Sequence, residues 1–178
     1  MCASDKKTCI DIARDTEIFS PEEIRVLTEL LDDSRNNPDT SYIFIEETEG
    51  GNTVGFAIFG RIPMTEFSWD IYWIVVGRNF QSRGIGTRLL RQIEDFIVRE
   101  NRRAIIRVET STDEWYSAAR NFYRKMGFAE VGVIPDFYGE NDDLVTFCKR
   151  ISIPQDGISA RFHNGVSFSK IDTHALAQ

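Results

Sequence analysis

Apolar positions recur along this chain with two periods, one near 2 and one near 3.6 residues, and the changes between them mark out the elements. The stretch SWDIYWIVVG (68–77) is apolar on both faces of an extended chain, which predicts a strand at the centre of a sheet. Before it, SYIFIEE (41–47) and TVGFAIFGRIP (53–63) flank the turn EGGN (49–52) and read as a hairpin. Gly55 and Gly60 in the second arm predict bulges or close packing. After the central strand, Ile85, Leu89, Leu90, Ile93, Phe96 and Ile97 form one helical stripe that stops at Asn101. RAIIRVET (103–110) reads as a buried strand, and STDEWYSAARNFYRKM (111–126) as a helix closed by Gly127. FAEVGVI (128–134) and DLVTFCKRI (143–151) predict two last strands, with PDFYGEND as the loop between them.

Nearer the start, alternation in TCIDIARD (8–15) predicts a first strand. FSPEEIRVLTELLDDSR (19–35) predicts a helix with explicit start signals. Ser20 can cap it, Pro21 suits the first helical position, and Glu23 completes a capping box. From Pro154 the chain is polar, serine-rich and weakly patterned, so 154–178 reads as a tail and 1–153 as a single domain. The order of elements predicts an α/β protein, a mixed sheet with helices on its faces.

Composition narrows the function classes. The 178 residues are 42% hydrophobic and 28% charged, enough for one soluble domain with a core. A net charge of -7 argues against a nucleic-acid groove, which needs clustered Lys and Arg. No apolar run reaches the ~18 residues of a membrane span. MCASDKKTC carries no apolar signal core, so a cytoplasmic protein is expected. Three cysteines (Cys2, Cys9, Cys148) and two histidines (His163, His174) form no zinc spacing, and reduced thiols are the plain reading.

The stretch QSRGIGTRLL puts Gly84 and Gly86 where a strand passes into a helix. The first amides of a helix have no partner inside it and sit at the positive end of its dipole, which suits an anion. Glycine removes the Cβ that would hold a phosphate away. Arg83 adds a positive charge at the rim and Thr87 a hydroxyl. A Gly-x-Gly pair alone marks a tight turn as readily as a phosphate site. No GK[ST] follows it, and Leu89 stands where a dinucleotide fingerprint has its third glycine.

WIVVGRNFQSRGIGTRLL resembles the acetyl-CoA motif of the GNAT superfamily of N-acetyltransferases, Q/R-x-x-G-x-G/A after a central strand, with Gln81, Gly84 and Gly86 in its defining positions. AARNFYRKMGF (118–128) resembles that family's second signature, and the two together cover about residues 41–151. The resemblance implies a GNAT-like, mostly antiparallel sheet with one parallel, splayed strand pair and helices on both faces. It implies acetyl-CoA as co-substrate, with its acyl arm against the backbone of Ile74, Val75 and Val76. The pyrophosphate is then expected on the amides of Ser82, Arg83, Gly84, Ile85, Gly86 and Thr87. Tyr123 matches the tyrosine that lies near the cofactor sulfur, where a phenol can donate a proton as the thiolate leaves. Tyr116 stands where many members carry an asparagine, so that pantetheine contact is open; Tyr116 or Trp115 then shapes the acceptor pocket or packs on the cofactor.

An attacking amine must be neutral, so a base or a water chain is needed. Asp70 on the central strand is the first choice, placed where histone-acetylating members carry a glutamate. Its rival role is a salt bridge, and Glu66, Glu109 or water are alternatives for the base. Tyr72 shares the face of Asp70 if strand alternation holds. Phe137 and Tyr138 lie in the acidic, aromatic loop that borders the acceptor in this family, where a cationic amine is attracted by field and by ring faces. The function implied is acetyl transfer to a primary amine of a small molecule or a protein. A sensor or scaffold module that keeps the pocket without catalysis is the alternative. The resemblance leaves a homodimer open, and the cysteine and histidine spacing gives no metal site to expect.

Overall fold

The computed structural model describes residues 6–152; the tail expected at 154–178 lies outside them, as do Cys2, His163 and His174. The doubly apolar stretch forms β3 (Ser68–Val76), third in a six-stranded sheet. β1 (Tyr42–Glu49) and β2 (Asn52–Arg61) build the antiparallel hairpin on one side of it. β4 (Arg103–Ser111) runs parallel to β3 on the other, followed by β6 (Asp142–Ser152) and then β5 (Ala129–Gly139) at the edge. The order is β1-β2-β3-β4-β6-β5, with β3–β4 the single parallel pair. A parallel pair needs a crossover, and α3 (Ile85–Glu100) supplies it.

Each face of the sheet is covered by helices. α1 (Lys6–Asp15) and α2 (Pro21–Asn36) bury Cys9, Ala13, Leu27 and Leu31 against Phe56, Ile58 and Val75. On the other face, α3 buries Leu89, Leu90, Ile93 and Ile97, joined by Tyr123 of α4 (Ser117–Lys125), against Phe59, Ile71, Ile106 and Phe147. Each fully buried leucine or isoleucine contributes about 1.5–3 kcal/mol of hydrophobic transfer. The capping box of α2 forms as its residues predict. Ser20 Oγ accepts from the Glu23 amide at 3.2 Å, and Glu23 Oε2 accepts from the Ser20 amide at 2.8 Å.

Gly55 answers to close packing. A Cβ there would lie 2.8 Å from the Val75 carbonyl and 3.1 Å from Ile85, where α3 presses on the sheet. No helix among the described residues is long and apolar enough to cross a membrane.

Three expectations are corrected. The segment 8–15 is helix α1, because Cys9 and Ala13, one turn apart, are its buried pair; so short a stretch fits either period. The helix expected over 111–126 begins later. Thr110 and Ser111 stay in β4, which pairs with β6 as far as Ser111 opposite Leu144. A 3-10 turn at Glu114–Tyr116, capped by Asp113 accepting from the Trp115 amide at 2.8 Å, then leads into α4. The expected loop PDFYGEND is mostly strand. β5 continues through Pro135 to Gly139, and only Glu140 and Asn141 separate it from β6. Pro135 is tolerated because β5 is an edge and its pairing is irregular between Ile134 and Gly139.

Candidate active site

The site starts where β3 and β4 part. Their parallel ladder holds only from Ser68 opposite Ile105 to Ile71 opposite Val108. Beyond it β3 continues to Val76 and β4 to Ser111 without pairing to each other. The cause lies on the other side of β3. The register against β2 steps from Ile58–Trp73 to Phe59–Ile71, so Tyr72 is left over as a bulge. A bulge bends its strand, and here it bends β3 at the point where β4 leaves it. The backbone from Ile74 to Val76 therefore lines an open cavity of about 730 Å³ together with Val108, Glu109 and Thr110 of β4.

At one end of that cavity stands the head of α3. Gly84 is its N-cap in the left-handed region at φ 78°, with no side chain capping the first amides and no acidic residue in the first turn. Ser82 shares the left-handed turn at φ 60°. Gln81 Nε2 donates to the Val76 carbonyl at 3.3 Å and ties the loop to the end of β3. Gln81, Ser82, Gly84, Ile85, Gly86 and Thr87 all line the cavity. A Cβ on Gly86 would sit 3.4 Å from the Phe122 ring, which would narrow the cradle. Uncapped amides, a bare glycine surface and a strand with free backbone groups fit a diphosphate joined to an extended amide-bearing arm. The Thr87 hydroxyl points to the Met126 sulfur at 3.7 Å. Lys125, next to Met126, is the cation on the cavity wall.

Tyr123 lines the middle of the cavity from α4. Its ring packs on Phe122, Phe128 and Phe147, with centroids 5.4, 5.5 and 6.0 Å away. Burial pushes its phenol well above the usual tyrosine range, so it stays protonated. Across from the glycine cradle the wall turns acidic and aromatic: Glu23, Glu109 and Asp142 among Tyr72, Tyr116 and Tyr138. Tyr116 reaches across to α2, donating its hydroxyl to Glu23 Oε1 at 2.5 Å. Burial first, then that bond, pushes its phenol up.

This combination of a splayed parallel pair and a glycine-headed helix agrees with the sequence match: the acetyltransferase (GNAT) family profile covers residues 8–128. The chain belongs to the GNAT acetyltransferase family. A relative described as N-alpha-acetyltransferase RimI, from Mycobacterium tuberculosis (strain ATCC 25618 / H37Rv), is 35% identical over 96 residues, 53% of this chain and 57% of that protein. The match thus spans little more than half the length of this curated relative. Among solved structures, a GNAT-family protein from Desulfovibrio desulfuricans is 31% identical with a TM-score of 0.77, covering 82% of this chain and 91% of that one. An aminoglycoside 6'-N-acetyltransferase complexed with coenzyme A shares the fold at 21% identity and a TM-score of 0.63, over 84% of this chain and 93% of that one.

Within this GNAT chain the remaining candidates fall in different places. Asp70 does not line the cavity. It is buried, and both its oxygens accept from Arg107, Oδ1 from Nε at 2.7 Å and Oδ2 from NH2 at 2.8 Å. Glu66 is exposed, and its backbone carbonyl accepts from Arg61. Glu109 alone of the three carboxylates considered as base faces the cavity, with Arg107 NH1 3.3 Å from its Oε1. Arg83 does not line the cavity; its side chain turns away to Glu49 at 3.0 Å and stacks over Phe80, so its charge is spent outside the cradle. Phe137 is exposed on β5 with its ring on Tyr138, which is itself on the wall. Burial, and Glu109 next, raise the Tyr138 phenol. Sequence reading did not single out Glu23 as a site residue, and Asp142 entered only as one of the acidic residues of the loop expected beside the acceptor. Glu23 is legible as a cap, and nothing in the sequence places α2 over the cavity.

Proposed function

We propose that this chain transfers the acetyl group of acetyl-CoA to a primary amine held at the acidic end of the cavity. The observation that carries this reading is one continuous cavity joining the uncapped head of α3, the edge of β3 that β4 has left, and the pair Glu109 and Tyr123. When bound, acetyl-CoA supplies a thioester whose acetyl carbon an amine can attack and whose sulfur leaves as a thiolate. The amides from Ser82 to Thr87 hold the diphosphate, and the backbone of Ile74 to Val76 holds the arm. Glu109 takes the proton from the incoming ammonium, directly or through a water, which leaves a neutral nitrogen able to attack. Tyr123, kept protonated by burial, donates its hydroxyl hydrogen where negative charge grows on sulfur.

For the acceptor we propose a cationic amine with an α-amino terminus as the first choice. The M. tuberculosis relative is described as an N-alpha-acetyltransferase, and the acidic, aromatic wall favours an ammonium. Asp70 is assigned to holding Arg107 and not to direct proton transfer. The test is coenzyme A release, followed with a thiol reagent, across alanyl peptides, lysyl peptides, polyamines and aminoglycosides. Release with at least one amine and none with a neutral amide supports the reading. Coenzyme A binding with no release across the panel would leave a sensor module.

A further inference from the structure

We propose that Asp70 and Arg107 act as a positioning relay that sets how readily Glu109 takes a proton. The proposal rests on the reading of Glu109 as the base. It begins with the ladder: Asp70 and Arg107 are register partners in the parallel pair, one step before β3 and β4 part. Glu109 follows Arg107 by two residues on β4, so both point to the same face. The guanidinium divides its three nitrogens. Nε and NH2 go to Asp70, and NH1 lies 3.3 Å from Glu109 Oε1. One cation therefore serves two carboxylates, one buried and one on the cavity wall.

This sharing has a chemical consequence. A carboxylate beside an unshared guanidinium is held in its charged form and is a poor base. Asp70 binds Arg107 through two short bonds and leaves only NH1 toward Glu109, which fixes the orientation of that carboxylate while the cation is shared. The other groups that face it leave the account intact. They are Tyr138 from β5 and Cys148 from β6; Tyr72 from β3 lies beside Asp70 and Arg107, and the charged Asp142 and Glu23 around Tyr138 and Arg150 beside Cys148 are the same in every variant compared. Burial raises the two phenols and the thiol, so they remain neutral near pH 7. Thr146 of β6 adds a neutral hydroxyl 3.4 Å from Glu109 Oε1.

The experiment is a carbon-detected NMR titration of the Glu109 carboxyl in the full chain, assigned by its loss in Glu109→Gln, which requires no acceptor. Asp70→Asn leaves Arg107 to Glu109 alone and is expected to move the midpoint down by about 1 pH unit. Arg107→Gln removes the cation and is expected to move it up. Should either single variant not fold, the neutral pair Asp70→Asn/Arg107→Gln is expected to move it up as well, because the lost cation is nearer to Glu109 than the lost anion. A midpoint that stays put in the variants that fold overturns the relay. Undiminished turnover in Glu109→Gln would overturn the underlying reading of Glu109 as base, and the relay's catalytic role with it.

Discussion

The role proposed for Tyr123 rests on how its ring and hydroxyl are held. A phenol is a weak acid, and water would normally share its hydroxyl. Here three aromatic rings surround it, and burial pushes its phenol up from a range in which it is already protonated at neutral pH. Tyr123→Phe keeps that packing and removes only the donor. We expect at least a tenfold lower kcat, about 1.4 kcal/mol of barrier, with coenzyme A affinity by calorimetry little changed. An unaltered kcat would take Tyr123 out of the reaction. Gly84 is prepared by backbone instead. At φ 78° an added Cβ meets nothing nearer than 3.9 Å, so Gly84→Ala pays conformational strain only. That strain is about 1 kcal/mol, and the melting temperature should fall by about 3 °C. No fall would mean that the turn relaxes. At this scale the sequence was informative about the cradle, because glycine spacing and the helical stripe are local. It was uninformative about Asp70 against Glu109. Both are acidic residues on apolar strands, and only the pairing of β3 with β4 sets Asp70 against Arg107 and leaves Glu109 on the cavity wall.

Between elements, the acidic end of the cavity depends on one carboxylate used twice. Glu23 Oε2 closes the capping box with Ser20, and Oε1 accepts from Tyr116 next to α4. Tyr116 stands where many GNAT members carry an asparagine. Its bond ties the helices of one face to the turn leading into α4 on the other. Ser20→Ala and Tyr116→Phe should each cost about 1 kcal/mol by denaturant unfolding. Because they share Glu23, the double variant should depart from the sum by about 0.5 kcal/mol or more. Strict additivity would show that the cap and the clasp act separately. The capping box was legible from Ser-Pro-Glu-Glu alone, but its second partner was not, since Tyr116 lies 93 residues away. The errors over 8–15 and 135–139 have the same origin. Short apolar stretches take their form from what they pack or pair with, and period cannot supply that.

Over the whole molecule, the sheet separates two chemistries along one cavity. The head of α3 and Lys125 present positive character at one end, and Glu23, Glu109 and Asp142 present negative charge at the other. The chain as a whole carries -7. Under the proposed function, a cationic acceptor is drawn in by a field that salt screens. Raising ionic strength about tenfold should raise KM for a cationic peptide several-fold while changing kcat little. An equal KM at both strengths would contradict electrostatic capture.

The central claim is that the amides heading α3 and the splayed end of β3 together hold a thioester carrier. A crystal structure of the protein with acetyl-CoA tests this most directly. The account predicts the diphosphate on the amides from Ser82 to Thr87, and the thioester between β3 and β4 beside Tyr123. A carrier bound elsewhere, or a cradle closed by a side chain of the protein, would contradict it.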